Sequence, residues 1–265
     1  MEVKPVRPAA TVMLLRDSDS GPEVFMVKRN MKAAFAGMYV FPGGVVDPDD
    51  GGLGAERFSG GFTDADASAQ LNVEAGGLAF WLAAVRECFE EAGVLLASGV
   101  NFSDEAVIER FKGYQHRLHN RDAGFIDICE AEGLTLQLGD IEYVAHWITP
   151  KAEVRRFDTR FFVTRAPADQ QALHDEKETV ASEWIRPLDA LRRGRDGELV
   201  IMPPTIACLN LIAPHPTVDA ALAAAKAVAR PPVIQPVAVF KDDGSLRALL
   251  LPGDDGYDEA RAAEG

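Results

Sequence analysis

Two short apolar runs open the chain, Ala10-Thr-Val-Met-Leu-Leu15 and Glu23-Val-Phe-Met-Val-Lys28, both rich in β-favouring residues. Asp17-Ser-Asp-Ser-Gly-Pro22 between them has turn composition, so the pair predicts a hairpin. Met38-Tyr-Val-Phe41 predicts a third strand that runs into Pro42-Gly43-Gly44. From Leu78 the period changes: Leu78, Trp81, Leu82, Val85, Phe89 and Ala92 recur at three- and four-residue steps, one stripe of a helix that ends at Gly93. An amphipathic helix is predicted over 103–117, and strands over 143–149, 155–164 and 179–185. Within 155–164, alternation puts Phe157, Thr159, Phe161 and Val163 on one face, and Arg156, Asp158, Arg160 and Phe162 on the other. Helices follow over 187–193, from Met202-Pro-Pro-Thr205 with Ile206, Leu209 and Ile212 buried, and over 218–229. Val237-Ala-Val-Phe240 and 246–251, around Asp242-Asp-Gly, predict a last hairpin, with an acidic loose tail behind it. Strands on both sides of a central helix, then helices, predict an α+β fold with a mixed sheet between helical layers. No linker divides residues 1–265 into separate domains, and 203–252 reads as a helical and hairpin extension of the same unit.

Composition narrows the partners. The 265 residues are 47% hydrophobic and 26% charged, which is ordinary for a globular chain. With 41 acidic against 27 basic side chains, the formal charge of −14 disfavours a nucleic-acid partner. Cys88, Cys129 and Cys208 are odd in number and far apart, so neither a disulfide framework nor a paired-cysteine metal site is expected. Cys88 reads as a small buried residue on the helix shoulder. There is no signal-type N-terminus and no apolar run of roughly 18 residues, so no membrane partner is expected and a cytoplasmic location is.

The chemistry gathers on the central helix. Glu87, Glu90 and Glu91 fall within five positions, on the side away from the apolar stripe. Like charges at these spacings repel by a few tenths of a kcal/mol per pair, roughly. A bound divalent cation offsets that repulsion, and a hard-oxygen donor set suits Mg²⁺ or Mn²⁺. The alternative is a solvated acidic face. Arg86 can pair with Glu90 at i,i+4 and hold it in place. Gly43-Gly44 allows a sharp turn that exposes backbone groups; alone it is an ordinary tight turn. Arg29 and Lys32 beside it either cap a solvated strand end or grip substrate phosphates. Arg156 and Arg160 either pair internally with Asp158 or leave one arginine for a phosphate. His116 and His119, near Arg117 and Arg121, read as a surface cluster. His174-Asp-Glu-Lys-Glu178 is a charged loop ahead of a strand.

Arg86-Glu87-Cys88-Phe89-Glu90-Glu91-Ala92-Gly93-Val94 resembles the second half of the Nudix hydrolase box, and Phe41-Pro42-Gly43-Gly44 resembles its start. That box runs glycine, five residues, glutamate, seven residues, then Arg-Glu-apolar-any-Glu-Glu-any-Gly-apolar. Here residues 47–73, rich in Gly, Asp and Ser, divide its two halves, and the insertion reads as a functional or poorly ordered loop. The box's first glutamate has no clean counterpart: counting from Gly44 reaches Asp50, counting back from Arg86 reaches Leu78, and neither is assigned. The resemblance implies a Nudix-type α/β/α sandwich and metal-dependent hydrolysis of a pyrophosphate linkage. It implies Glu87, Glu90 and Glu91 as metal ligands, with a backbone oxygen from Gly43 or Gly44. Glu90 and Glu91 would also act in catalysis, Arg86 would orient the glutamates, and Glu178 is the candidate loop carboxylate. The long insertion is similar to that of the Nudix branch that cleaves coenzyme A and acyl-coenzyme A to 3′,5′-ADP and a 4′-phosphopantetheine product. The coenzyme A signature is matched at Gly37 and Phe41 to Gly44, but Ala33 stands where it has arginine, so NADH, ADP-ribose or another nucleotide derivative stays open. A catalytically idle nucleotide sensor is the reading from another class. The N-terminal strands offer a surface for a homodimer.

Overall fold

A computed structural model describes residues 4–29, 37–52, 54–172, 179–228 and 230–264. In chain order the strands are β1 (Val6–Ser18), β2 (Gly21–Arg29), β3 (Tyr39–Val40), β4 (Gly43–Val45), β5 (Ala97–Ser98) and β6 (Thr135–Leu136). They continue with β7 (Glu142–Ile148), β8 (Arg156–Arg165), β9 (Thr179–Ile185), β10 (Val233–Ile234), β11 (Val237–Phe240) and β12 (Leu246–Leu250). The helices are α1 (Asp64–Leu71), α2 (Leu78–Ala92), α3 (Glu105–His119), α4 (Phe125–Glu132), α5 (Pro187–Arg195), α6 (Pro203–Ile212), α7 (Val218–Lys226) and α8 (Tyr257–Ala263). Among the described residues no helix is long and apolar enough to cross a membrane.

β1 is the axis. It runs parallel to β8 along ten register positions and forms the expected hairpin with β2. Its first half also takes β4, with Ala10 opposite Gly44 and Thr11 opposite Gly43. β7 and β10 extend the sheet beyond β8, and β3 and β9 pair with β2, so the sheet is mixed. Alternation along the strands builds two cores. Ala10, Val12, Leu14 and Phe162 face α2, packing with Trp81, Leu82, Val85 and Phe89. Met13, Leu15, Phe161 and Val163 face the other way, onto α6 and α7 through Leu209, Ile212 and Val218. The result is the α+β sandwich expected, and the two faces of β8 are those its alternation predicts. Trp81 is fully buried, and its indole N–H donates to the Ile141 carbonyl at 3.0 Å, so the largest core side chain leaves no donor stranded.

Three expectations need correction. The insertion is not a bare loop. Asp47 caps a short 3₁₀ turn over Pro48–Gly51, and Thr63 caps α1 in a reciprocal box with Asp66. Asp64 then accepts from Leu78 N at 2.9 Å and Gly76 N at 3.0 Å, serving the orphan amides where α2 begins on Gly77, which has no side chain to cap them. The loose tail ends in α8, tied back by the Tyr257 hydroxyl on the Gln235 carbonyl at 2.9 Å and by Arg261 on the Gln235 side chain at 2.7 Å. Ile206 is 37% exposed rather than buried. Steps of three drift around a helix, and the buried stripe of α6 is Thr205, Cys208, Leu209 and Ile212 instead. Cys88 is buried as expected, as are Cys129 and Cys208.

Candidate active site

α2 delivers its carboxylates to β4. A three-residue strand beginning Gly43-Gly44 lets the backbone lie flat against the helix, and a side chain on either glycine would prevent it. A methyl group at Gly44 would sit 2.4 Å from Glu87 Oε1; one at Gly43 would sit 2.5 Å from the Ala10 carbonyl and from Thr11 Oγ1. Gly43 N donates to Glu91 Oε2 at 3.0 Å, and Arg29 Nη1 lies 3.5 Å from Glu91 Oε1. Glu91 is therefore buried at 4% exposure, not on the open face that helical phase alone predicts, because β4 covers it.

Arg86 is the hub. Its Nε donates to Asp50 Oδ1 at 2.8 Å and its Nη2 to Asp50 Oδ2 at 2.9 Å, a bidentate fork. Nη2 also reaches the Val45 carbonyl at 2.9 Å, and Nη1 reaches Glu87 at 2.7 Å and the expected i,i+4 partner Glu90 at 3.1 Å. Every N–H of the guanidinium is used. Asp50, at 3% exposure, also accepts from Asp47 N at 2.7 Å. It is the position that counting from Gly44 reaches, and it clamps the arginine that orients the glutamates. The sequence carried its signal, the spacing from Gly44, but the insertion behind it hid the pairing. A second residue had no signal: Gln115 on α3 donates to the Glu90 carbonyl at 2.9 Å, fixing the end of α2.

Electrostatics follow from burial. The Glu87 carboxyl is pushed up to about 7 by burial, against the pull of Arg86 and with the repulsion of Glu90. Burial also raises Glu90, opposed by Arg86 and the nearby charge of His119, and raises Asp50 against its pairing with Arg86. Burial works against the charge on Arg86, but Asp50 and Glu87 outweigh it and hold the guanidinium protonated. Four carboxylates here share two guanidinium groups. That surplus of buried negative charge, made of hard oxygens and pressed against a glycine backbone, fits a divalent cation. Among the described residues no three acidic, imidazole or thiol groups converge on one point by themselves. An ion here would need backbone, water or substrate oxygens as well.

The remaining candidates scatter. Arg29 reaches the site; Lys32 and Glu178 lie outside the described residues. Arg156 is buried and donates to the carbonyls of Lys4 at 2.7 Å and Pro150 at 3.1 Å, pinning strand ends. Arg160 pairs with Asp158 and His146 and lies 5.0 Å from the Phe80 ring. Both guanidinium groups are thus engaged internally, Arg160 on Asp158 as the first of the two readings of this row has it and Arg156 on backbone carbonyls instead. A cavity of about 510 Å³ does meet the site: Arg29, Gly43 and Gly44 form part of its wall.

Residues 54–211 match the family model described as the NUDT19 Nudix domain. The acyl-coenzyme A diphosphatase NUDT19 of Xenopus laevis is 27% identical, with 71% of this chain and 59% of that protein aligned. The Homo sapiens protein of the same name is 26% identical over 69% of this chain and 58% of its own length. The chain therefore spans about six-tenths of the length of these relatives. The crystal structure of a Nudix hydrolase from Alicyclobacillus acidocaldarius superposes with a TM-score of 0.66, at 26% identity, covering 84% of this chain and 97% of that one. With the match extending over more than half of its residues, and with the Arg86 to Val94 motif assembled against Gly43 and Gly44, this chain belongs to the NUDT19 Nudix domain family.

Proposed function

We propose that this protein is a Mg²⁺- or Mn²⁺-dependent pyrophosphohydrolase of nucleoside diphosphates linked to a second group, with coenzyme A or an acyl-coenzyme A as substrate. The observation that carries the reading is the buried carboxylate surplus seated on the Gly43-Gly44 backbone. The names of the relatives direct it toward coenzyme A esters. Glu87, Glu90 and Glu91 would hold the cation together with a carbonyl of Gly43 or Gly44. Bound there, it would neutralise the diphosphate and lower the pKa of a coordinated water.

The chain's own groups do the rest. Arg86, clamped by Asp50, keeps Glu87 and Glu90 at fixed positions as substrate arrives. Gly43 N and Arg29 do the same for Glu91. A carboxylate of the trio, or Glu178 from the charged loop, takes the proton as water adds to phosphorus. The P–O–P bridge then breaks, and one phosphate leaves with each half of the substrate: 3′,5′-ADP and a 4′-phosphopantetheine product. Purified protein with Mg²⁺ or Mn²⁺ is tested on coenzyme A, acyl-coenzyme A, NADH, ADP-ribose and nucleoside triphosphates, with products resolved by mass. Metal-dependent release of 3′,5′-ADP, falling by at least about a hundredfold in Glu91→Gln, is the expected result. Cleavage confined to another member of the panel would discard coenzyme A and keep the site. No turnover, with ligand-dependent melting alone, would turn the reading to a nucleotide sensor.

A further inference from the structure

The cavity beside Gly43 and Gly44 has a chemistry unlike that of the carboxylate cluster it adjoins. Its polar side chains are few: Thr11, Arg29, Trp147, Thr149, Glu153, Thr159 and Thr205, the Trp147 indole N–H being buried with no hydrogen-bond partner among the described residues. One of them is already committed, since Thr149 Oγ1 accepts from Phe157 N at 3.0 Å. The rest of the wall is mainly aliphatic, aromatic or proline, and part of it comes from a segment far along the chain. β11 and β12 pair with Ala238 opposite Leu249 and Phe240 opposite Leu246. These four residues form one face of the hairpin, and all four line the cavity. Phe240 and Leu246 are 49% and 56% exposed, so the hairpin carries apolar surface at this cavity that the other described residues leave uncovered.

We infer that this cavity receives the uncharged, pantetheine-type arm of the substrate, and that the β11–β12 face sets the preference for such an arm over a second sugar. The inference rests on the diphosphatase reading of the carboxylate site. A diphosphate held at Gly43 and Gly44 places its two substituents on either side, and one of them meets this wall. A ribose or nicotinamide riboside would bring several hydroxyls to a wall with few free partners, and buried hydroxyls without partners are costly. An arm of methyl and methylene groups interrupted by two amides and a single hydroxyl would lay its aliphatic stretches on Phe240, Leu246 and Leu249 and leave its polar groups to the few partners in the wall. The substrate class is therefore a nucleoside diphosphate whose second phosphate bears an extended, mostly apolar chain.

The test uses the full chain with Leu249→Ser, which weakens the wall, and Ala238→Trp, which fills the cavity. With Mg²⁺, KM and kcat are measured for coenzyme A and for ADP-ribose, which has the same diphosphate and a polyhydroxylated arm. Leu249→Ser is expected to raise KM for coenzyme A on the order of tenfold with kcat little changed, and Ala238→Trp to do more, while ADP-ribose kinetics shift less than twofold. Variants that shift both substrates alike, or neither, overturn the inference. If the wild type hydrolyses no diphosphate, the catalytic reading has failed and melting in chelator decides this one separately. Coenzyme A raising the melting temperature of the wild type but not of Ala238→Trp upholds the arm site; an equal rise, or none in either, overturns it. Ligand-free melting identifies a variant that fails to fold, and Leu249→Ser then carries the comparison alone.

Discussion

The two walls that meet at Gly43 and Gly44 are built on opposite terms. On the α2 side, charge is held in place by interdependence: Arg86 spends all its donors, and Asp50, Glu87 and Glu90 each depend on it. On the cavity side, apolar surfaces from β1, β8, α6 and the β11–β12 hairpin come together without such pairing, and parts of the hairpin stay exposed. A buried polar network fails when one member is lost, whereas an apolar wall degrades by degrees. The first arrangement suits a reaction needing fixed oxygens. The second suits recognition of a flexible arm.

Removing Asp50 should break the contrast most sharply. Asp50→Ala leaves Arg86 buried without its bidentate partner, an expected loss of about 3–5 kcal/mol by denaturant unfolding. A loss under about 1 kcal/mol, on the scale of an exposed ion pair, would show that the cluster is not the interdependent unit described here.

Gly44→Ala probes the seam itself. Its methyl would press on the Glu87 carboxylate while leaving the cavity wall otherwise intact. Turnover should drop by about 10–100-fold, with coenzyme A still raising the melting temperature of the metal-free protein. Full activity in this variant would mean that Glu87 can leave its present place at no cost.

The smallest effect sharpens the electrostatic half. Glu87 has its folded value near 7, above the ordinary 4.5, so between those values the folded state holds more protons than the unfolded one. The sign follows: metal-free protein has this contribution in full below about pH 4.5 and loses it as the pH rises through about 7. Melting in chelator from pH 5 to 8 should show that decline, flattened in Glu87→Gln. An unchanged slope in the variant would assign the decline to other groups.

The helix with its glutamates, the first hairpin and the β8 alternation were legible because each depends on local periodicity or contiguous residues. Arg86 with Glu90 was legible for the same reason, being one turn apart. Asp50 was visible only as a count, because its partner lies 36 positions away across the insertion. The order within 47–73 was hidden by its glycines, although Asp47 with Asp50 and Thr63 with Asp66 are capping boxes readable in retrospect. The role of Arg156 depends on carbonyls of Lys4 and Pro150, which no spacing rule connects. The cavity was out of reach for a different reason: its wall joins residues from position 9 to position 249, and its shape exists only once the sheet has formed.

The Asp50–Arg86 fork also closes a polymer loop. Extra length between two tethered points costs little, about 0.6 kcal/mol for each doubling in the flexible-chain limit. Carrying 36 positions instead of the compact motif's few amounts to about two doublings, well below what the buried fork is expected to contribute. The clamp thus decouples the active site from the length of the segment it spans. Within that segment the exposed Glu74-Ala75 bend between α1 and α2 is where this fold can take on new sequence, or a grafted reporter, provided the Asp64 contacts that start α2 are kept.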